Sequence, residues 1–234
     1  MTEFALDPLD LAALLCSRVC HDIVSPVGAI INGLEVLEEE KDAEMRGFAL
    51  DLIKKSAEQA SARLRFCRLA FGAAGSAGAA IDTGDAETVA RSLFGRERTE
   101  ICWNVPALLM PKNQVKLILN LCLIAAASVP RRGVVEVMAS GEGEELRIKV
   151  SAKGANPKLA SGVPRLLAGT PEVAPSAPQD IQAYYTGLVA RAAGMQLFVA
   201  ADEENITFEA MPLQATAAAG PAAIAAIIAS VASY

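Results

Sequence analysis

One histidine, His21, is the whole imidazole complement of this 234-residue chain. Its five cysteines (Cys16, Cys20, Cys67, Cys102 and Cys122) form no CxxC pair and no metal-ligand spacing. They read as reduced thiols that serve as small core hydrophobes, and no metal site is expected. Positive charge is scarce as well. Lys and Arg number 21 against 27 Asp and Glu, a net charge of −6. The pI is near 5.0. This balance argues against nucleic acid or an anionic membrane as the main partner. A secretory signal needs a basic start and a long apolar run. Glu3, Asp7 and Asp10 occupy that region instead, so the expected location is the cytoplasm. What the chain has in quantity is apolar surface. Hydrophobic residues make up 53% of it, ample for one large domain or two modest ones.

Residues 7–39 read as one long helix. Asp7-Pro8 supplies an N-cap followed by proline at the first helical position. Leu11, Leu15, Val19, Ile23, Val27, Ile30, Leu34 and Leu37 then recur at the three–four spacing of one buried face. Pro26 interrupts the hydrogen-bond ladder and is expected to kink the helix one turn past His21. After the polar break at residues 38–42, a second amphipathic helix is expected over about 43–71, through Met45, Ala49, Leu52, Ser56, Ala60, Arg63/Leu64, Cys67 and Phe71. Residues 7–71 thus form an antiparallel hairpin. Two helices bury too little surface to stand alone, so two hairpins are expected to pair as a homodimeric four-helix bundle.

Residues 72–80 are small and rich in Gly and Ala, the best boundary in the chain. Over 81–213 the texture becomes mixed. A helix is expected near 85–94, a strand near 99–104 and a helix near 111–128. Strands follow at 134–139 and 145–152 around Gly141 and Gly143. A proline- and glycine-rich stretch spans 154–180, then a helix at 181–193 leads to strands at 195–200 and 205–211. Helices on one face of a mixed sheet make the fold class α+β, a helical hairpin followed by an α/β sandwich. The tail, 214–234, is rich in Ala and Ile. Its apolar run is shorter than the roughly 20 residues a membrane span requires. A docked helix and an unstructured tail both fit it.

At about 100° per residue, His21 lies on the opposite side of its helix from Val19 and Ile23. Its outer-face neighbours are Ser17, Ser25 and Gly28, all small, so a partner protein can approach the ring closely. A neutral imidazole nitrogen is a competent nucleophile near pH 7. Two readings of Asp22 stand side by side: acceptor of a hydrogen bond from the other ring nitrogen, fixing the tautomer, or a plain solvated carboxylate. A fold-back at residues 40–42 sets positions near 60 level with His21, with Ala57, Ala60 and Ser61 beside it and Gln59 and Arg63 flanking. Arg63 is then placed either to steady a phosphoryl group or to meet a partner surface.

The string His21-Asp22-Ile23-Val24-Ser25-Pro26 resembles the H-box of two-component histidine kinases, whose histidine carries a phosphoryl group. Val24 departs from it, since kinases usually carry arginine there. The second half resembles the ATPase (GHKL) module of those kinases, with its nucleotide motifs altered. Asn120-Leu121-Cys122-Leu123-Ile124-Ala125 matches the N-box NLxxNA, but Ile124 replaces the asparagine that helps hold magnesium, and isoleucine cannot ligate a metal. In the G1 box, DxGxG, Ala152 replaces the adenine-binding aspartate and Asn156 the second glycine. The G2 position is held by Gln179-Asp180-Ile181-Gln182-Ala183-Tyr184-Tyr185, with no glycine pair to let backbone amides cradle phosphates. The three losses together imply an ATPase-like fold that binds no ATP.

An H-box joined to such a module is similar to the histidine phosphotransferases of bacterial cell-cycle phosphorelays, over about residues 7–213 and most specifically over 16–37. That resemblance implies a homodimer with His21 as phosphoacceptor and no bound cofactor, magnesium being supplied by the partner's receiver domain. It implies a phosphoryl donor in the receiver of a hybrid histidine kinase of the CckA type, and acceptors among response regulators of the CtrA and CpdR types. An ATP-dependent histidine kinase core and a non-catalytic dimeric adaptor for response regulators are the competing functions.

Overall fold

The computed structural model describes residues 4–72, 79–95, 99–129, 133–171, 173–175 and 177–213. Helix α1 (Pro8–Glu39) begins where Asp7 accepts the amide of Leu9 at 2.8 Å. It runs through Pro26 without ending. Helix α2 (Ala43–Ala70) starts the same way, with the Asp42 carboxylate accepting Met45 N–H at 3.0 Å. The turn between them is closed by Arg46, whose guanidinium bonds the carbonyls of Leu37 and Glu40. Farther along, the two backbones come close at Gly33, where an added Cβ would stand 2.7 Å from Ile53 Cγ1.

The single buried stripe expected on α1 divides in two. Pro26 and Gly33 are buried in the contact with α2, whereas Val27 and Leu34 are 40% and 48% exposed. One neighbouring helix covers only a fraction of a helix circumference, and the residues here are too apolar for what is left uncovered. The same holds on α2, where Met45 and Leu52 are exposed while Ala49, Ser56, Ala60 and Cys67 are covered.

The remainder is a layer of helices on a sheet. It contains β1 (Ala80–Asp82), α3 (Thr83–Phe94), β2 (Glu100–Asn104), β3 (Leu109–Pro111), α4 (Lys112–Ser128), β4 (Val134–Ser140), β5 (Arg147–Lys153), α5 (Val163–Ala168), α6 (Pro178–Ala192), β6 (Met195–Ala201) and β7 (Asn205–Pro212). The main sheet has the order β2-β4-β5-β7-β6, parallel between β2 and β4 and antiparallel elsewhere. Alternation along β4, β5 and β7 sends Val135, Val137, Ile148, Val150, Phe208 and Ala210 into the core. The opposite face carries cross-strand ion pairs, Lys153 with Glu136 and Lys149 with Glu209.

The chain departs from the sequence expectation in four places. Strands β1 and β3 form a separate two-stranded ribbon, too short for alternation to reveal. Residues 143–145 make a 3₁₀ turn, so β5 starts at Arg147. Within the proline- and glycine-rich stretch, α5 forms around Pro164, and α6 begins at Pro178 rather than 181. Helix α5 crosses α6 at Gly187, where a Cβ would be 2.2 Å from the Leu167 carbonyl oxygen. The tail expected at 214–234 and most of the 72–80 boundary lie outside the described residues.

The hairpin base is built into the main core, where Phe66 and Ala70 are buried with Phe94 and α4. Phe4 packs edge-on against Tyr184 of α6, whose hydroxyl accepts Leu6 N–H. Asn120 on α4 joins the parts. Its amide donates to the carbonyls of Ala70 (3.0 Å) and Lys116 (2.8 Å), and its oxygen accepts from Gln182 Nε2 at 2.8 Å. Ala70 is the last residue of α2, so its carbonyl has no intrahelical donor. Asn120→Ala leaves that carbonyl unpaired in the core and Gln182 Nε2 with only its 3.5 Å bond to Thr186, a loss of about 1–3 kcal/mol that a urea denaturation midpoint will register.

Candidate functional site

Helix α1 presents three faces near its middle. One lies on α2. A second, made of Val24, Val27, Ile31 and Leu34, is exposed although apolar. His21 occupies the third, with its side chain 72% exposed. Ser17 and Ser25 are exposed beside it, and Gly28 has open space above its Cα, with nothing within 4 Å of an added Cβ. The expected small-residue face around the imidazole is present.

Asp22 sits differently from either sequence reading. Its Oδ1 is 3.7 Å from His21 Nδ1, farther than a hydrogen bond reaches. Its Oδ2 accepts from Arg18 Nε at 3.1 Å, and the two side chains are only 20% and 17% exposed. The carboxylate is therefore held, and it is held by Arg18 rather than by the ring. Arg18 was missed in the sequence, although its spacing to Asp22 is the i,i+4 spacing at which a helix pairs opposite charges.

Arg63 also departs from expectation. Its Nη1 donates to the main-chain carbonyl of Asp22 at 3.1 Å. Arg63 thus lies beside the H-box-like turn, on the flank where the fold-back places it. The guanidinium is engaged with the α1 backbone rather than aimed at the imidazole. Arg18, Asp22 and Arg63 form the polar wall of a cavity of about 200 Å³ between the hairpin and the α/β layer. Phe66, Phe94 and Leu123 line its apolar side, and Cys67 closes it. Burial, with the Asp22 charge adding to it, pushes the Cys67 thiol up to about 11, so it stays protonated.

In the second half, the places of the three nucleotide motifs are filled. Ile124 and Ala152 are core residues, 7% and 0% exposed. Gln182 belongs to the buried Asn120 network, and Ile181, Ala183 and Tyr184 are buried around it. Asn156 keeps a left-handed backbone, φ 54°, at the position where the kinase motif has glycine. A larger cavity, about 1400 Å³, opens at the ends of β6 and β7. The carboxylates of Asp180, Asp202, Glu203 and Glu204 line it against the cations Lys158 and Arg165.

The site is thus one exposed histidine on a helical hairpin that is seated on an α/β sandwich. The family model for the histidine phosphotransferase C-terminal domain matches residues 83–205. The chain is 49% identical over 208 residues to the protein phosphotransferase ChpT of Brucella abortus (strain 2308), covering 88% of this chain and 97% of that protein. It also matches the solved structure of a bacterial phosphotransferase with a TM-score of 0.81 and 44% identity, covering 90% of this chain and all of the other. The chain belongs to the histidine phosphotransferase family.

Proposed function

We propose that this phosphotransferase is the middle relay of a phosphorelay. His21 takes a phosphoryl group from the receiver aspartate of a hybrid histidine kinase and passes it to response-regulator aspartates. The observation that carries the reading is the chain's one imidazole, solvent-exposed, flanked along its helix by the small Ser17, Ser25 and Gly28, beside a carboxylate that Arg18 fixes. Nδ1 is the nitrogen turned to Asp22, which leaves Nε2 to attack. The Nε2–P bond forms as the aspartyl O–P bond breaks, and the carboxylate leaves with the electron pair. Asp22 favours the positive charge that develops on the ring. Acyl phosphate and phosphoramidate are both high-energy, so transfer runs in either direction and the protein's contribution is positioning. Magnesium is the receiver's. By the resemblance of residues 16–37 and the altered second half to phosphorelay phosphotransferases, the partners are of the CckA, CtrA and CpdR types and the location is the cytoplasm.

An ATP-dependent kinase is disfavoured by the buried, apolar Ile124 and Ala152, which offer neither a metal ligand nor a hydrogen bond to adenine. One experiment separates the readings. The protein is incubated with labelled ATP and, separately, with a phosphorylated receiver domain. Acid-labile label on this chain is expected from the receiver alone. Label from ATP would identify a kinase, and none from either source an adaptor.

The homodimer belongs to the same proposal. Val24, Ile31 and Phe48 are 68%, 51% and 63% exposed on one hairpin. A continuous apolar face of this kind calls for a partner surface. By length and composition alone α1 could also cross a bilayer. Its contact with α2 and its exposed charge-bearing face favour a second hairpin as the cover. Light scattering at micromolar concentration is expected to return twice the 24.4 kDa chain mass. A folded species of monomer mass would contradict the bundle.

A further inference from the structure

We propose that Pro26 and Arg63 form one device that positions His21. In a regular helix the N–H of residue 26 would donate to the carbonyl of residue 22. Pro26 has no N–H, and its ring crowds that same carbonyl. Asp22 O is thus the one acceptor that Pro26 strips of its intrahelical donor. Arg63, reaching across from α2, donates to this oxygen at 3.1 Å. The carbonyl is half-buried at the wall of the hairpin cavity, where an unpaired acceptor is costly.

The consequence for His21 is geometric. Residue 22 is held at both ends, its carboxylate by Arg18 and its main chain by Arg63. The turn that carries the imidazole is therefore pinned to α2 in rotation and in tilt, while the ring itself stays exposed. A helix without proline at 26 would satisfy Asp22 O internally and give α2 nothing to grip at this level. Proline here converts a main-chain acceptor of α1 into an interhelical one. Arg63 is accordingly a positioning residue that acts through the backbone of Asp22.

This inference rests on His21 being the phosphoacceptor, and the test keeps the two apart. Transfer from a phosphorylated receiver is measured over a range of receiver concentrations for Arg63→Met, Arg63→Lys, Pro26→Ala and Pro26→Ala/Arg63→Met, with melting midpoints alongside. Arg63→Met is expected to lower the saturating transfer rate about tenfold, the equivalent of one lost hydrogen bond in the barrier, and to leave the half-saturating receiver concentration unchanged. Arg63→Lys, which keeps one donor, should recover most of the rate. In the Pro26→Ala background the N–H restored at position 26 reaches Asp22 O, so removing Arg63 should lower neither rate nor melting midpoint appreciably. Equal losses from Arg63→Met with and without Pro26 would overturn the proposal, as would a normal saturating rate for Arg63→Met. A wild-type chain that takes no label would instead overturn the phosphotransfer reading and the positioning claim with it. The melting cycle would still report the carbonyl pairing in that case.

Discussion

His21→Ala is expected to take up no acid-labile label from a phosphorylated receiver and to remain folded. The loss is complete because the chain contains no second imidazole to take over the nitrogen–phosphorus bond. The fold survives because the side chain is 72% exposed and its truncation opens no core cavity. Exposed substitutions away from caps and special backbone positions stay within about 0.5 kcal/mol of neutral. The check has two parts, label uptake by the variant and its melting curve beside that of the wild type. Residual acid-labile label at wild-type yield would remove His21 from the mechanism. A variant that fails to melt cooperatively would show instead that the imidazole is structural. Asp22→Asn serves as the graded companion. It keeps the shape that Arg18 holds but removes the charge beside Nδ1, so transfer should slow while the label remains acid-labile.

Much of this was legible in the sequence because the signals are local. Asp7 caps α1 by a hydrogen bond spanning two residues, as Asp7-Pro8 indicates, and Asp42, which reads only as part of a polar break, caps α2 by one spanning three. The exposed position of His21 follows from helical phase alone. What the sequence did not disclose depends on a second segment arriving in space. The stripe on α1 reads as one surface, yet only its α2-facing part is covered, because coverage is a property of the neighbour. Arg63 reads as a surface cation until the hairpin register places its Nη1 on the Asp22 carbonyl. Asn120 reads as a remnant of a nucleotide motif. In the folded chain it ties Ala70 of the hairpin to Gln182 of α6.

Ile124 and Ala152, which stand where the resemblance places a metal-holding asparagine and an adenine-binding aspartate, are apolar residues that the core absorbs. Burying apolar groups there favours folding, whereas an unliganded polar pocket would leave unpaired groups. The second half thus works as a base on which the hairpin stands. Phe66, Ala70 and Asn120 anchor the C-terminal end of α2 on it.

Ser25→Trp and Gly28→Gln are expected to block transfer from donor and to acceptor alike. A receiver must bring its aspartate within bonding reach of Nε2, so its footprint covers the outer face of α1 on either side of His21. Ser25 is exposed there, and an added Cβ at Gly28 meets nothing within 4 Å. Larger side chains at both positions therefore leave the hairpin intact and stand only in the path of the partner. A displacement of about 1 Å at the reacting atoms is enough to cost about 100-fold in rate, and an indole or a glutamine side chain is longer than that. Gly28→Ala separates close approach from strain relief. Alanine is favoured over glycine inside a helix by up to about 1 kcal/mol, so this variant should melt higher. If Gly28 serves only to ease the helix past Pro26, Gly28→Ala would lower the melting point instead, and Gly28→Gln would be defective in folding rather than in transfer. Because donor and acceptor receivers share the one imidazole, they share this face, and each bulky substitution should slow both half-reactions by a similar factor. Normal rates in both bulky variants would show that receivers reach His21 from another direction, even with phosphohistidine confirmed. Loss of one half-reaction alone would show that the two kinds of receiver dock differently around the same nitrogen.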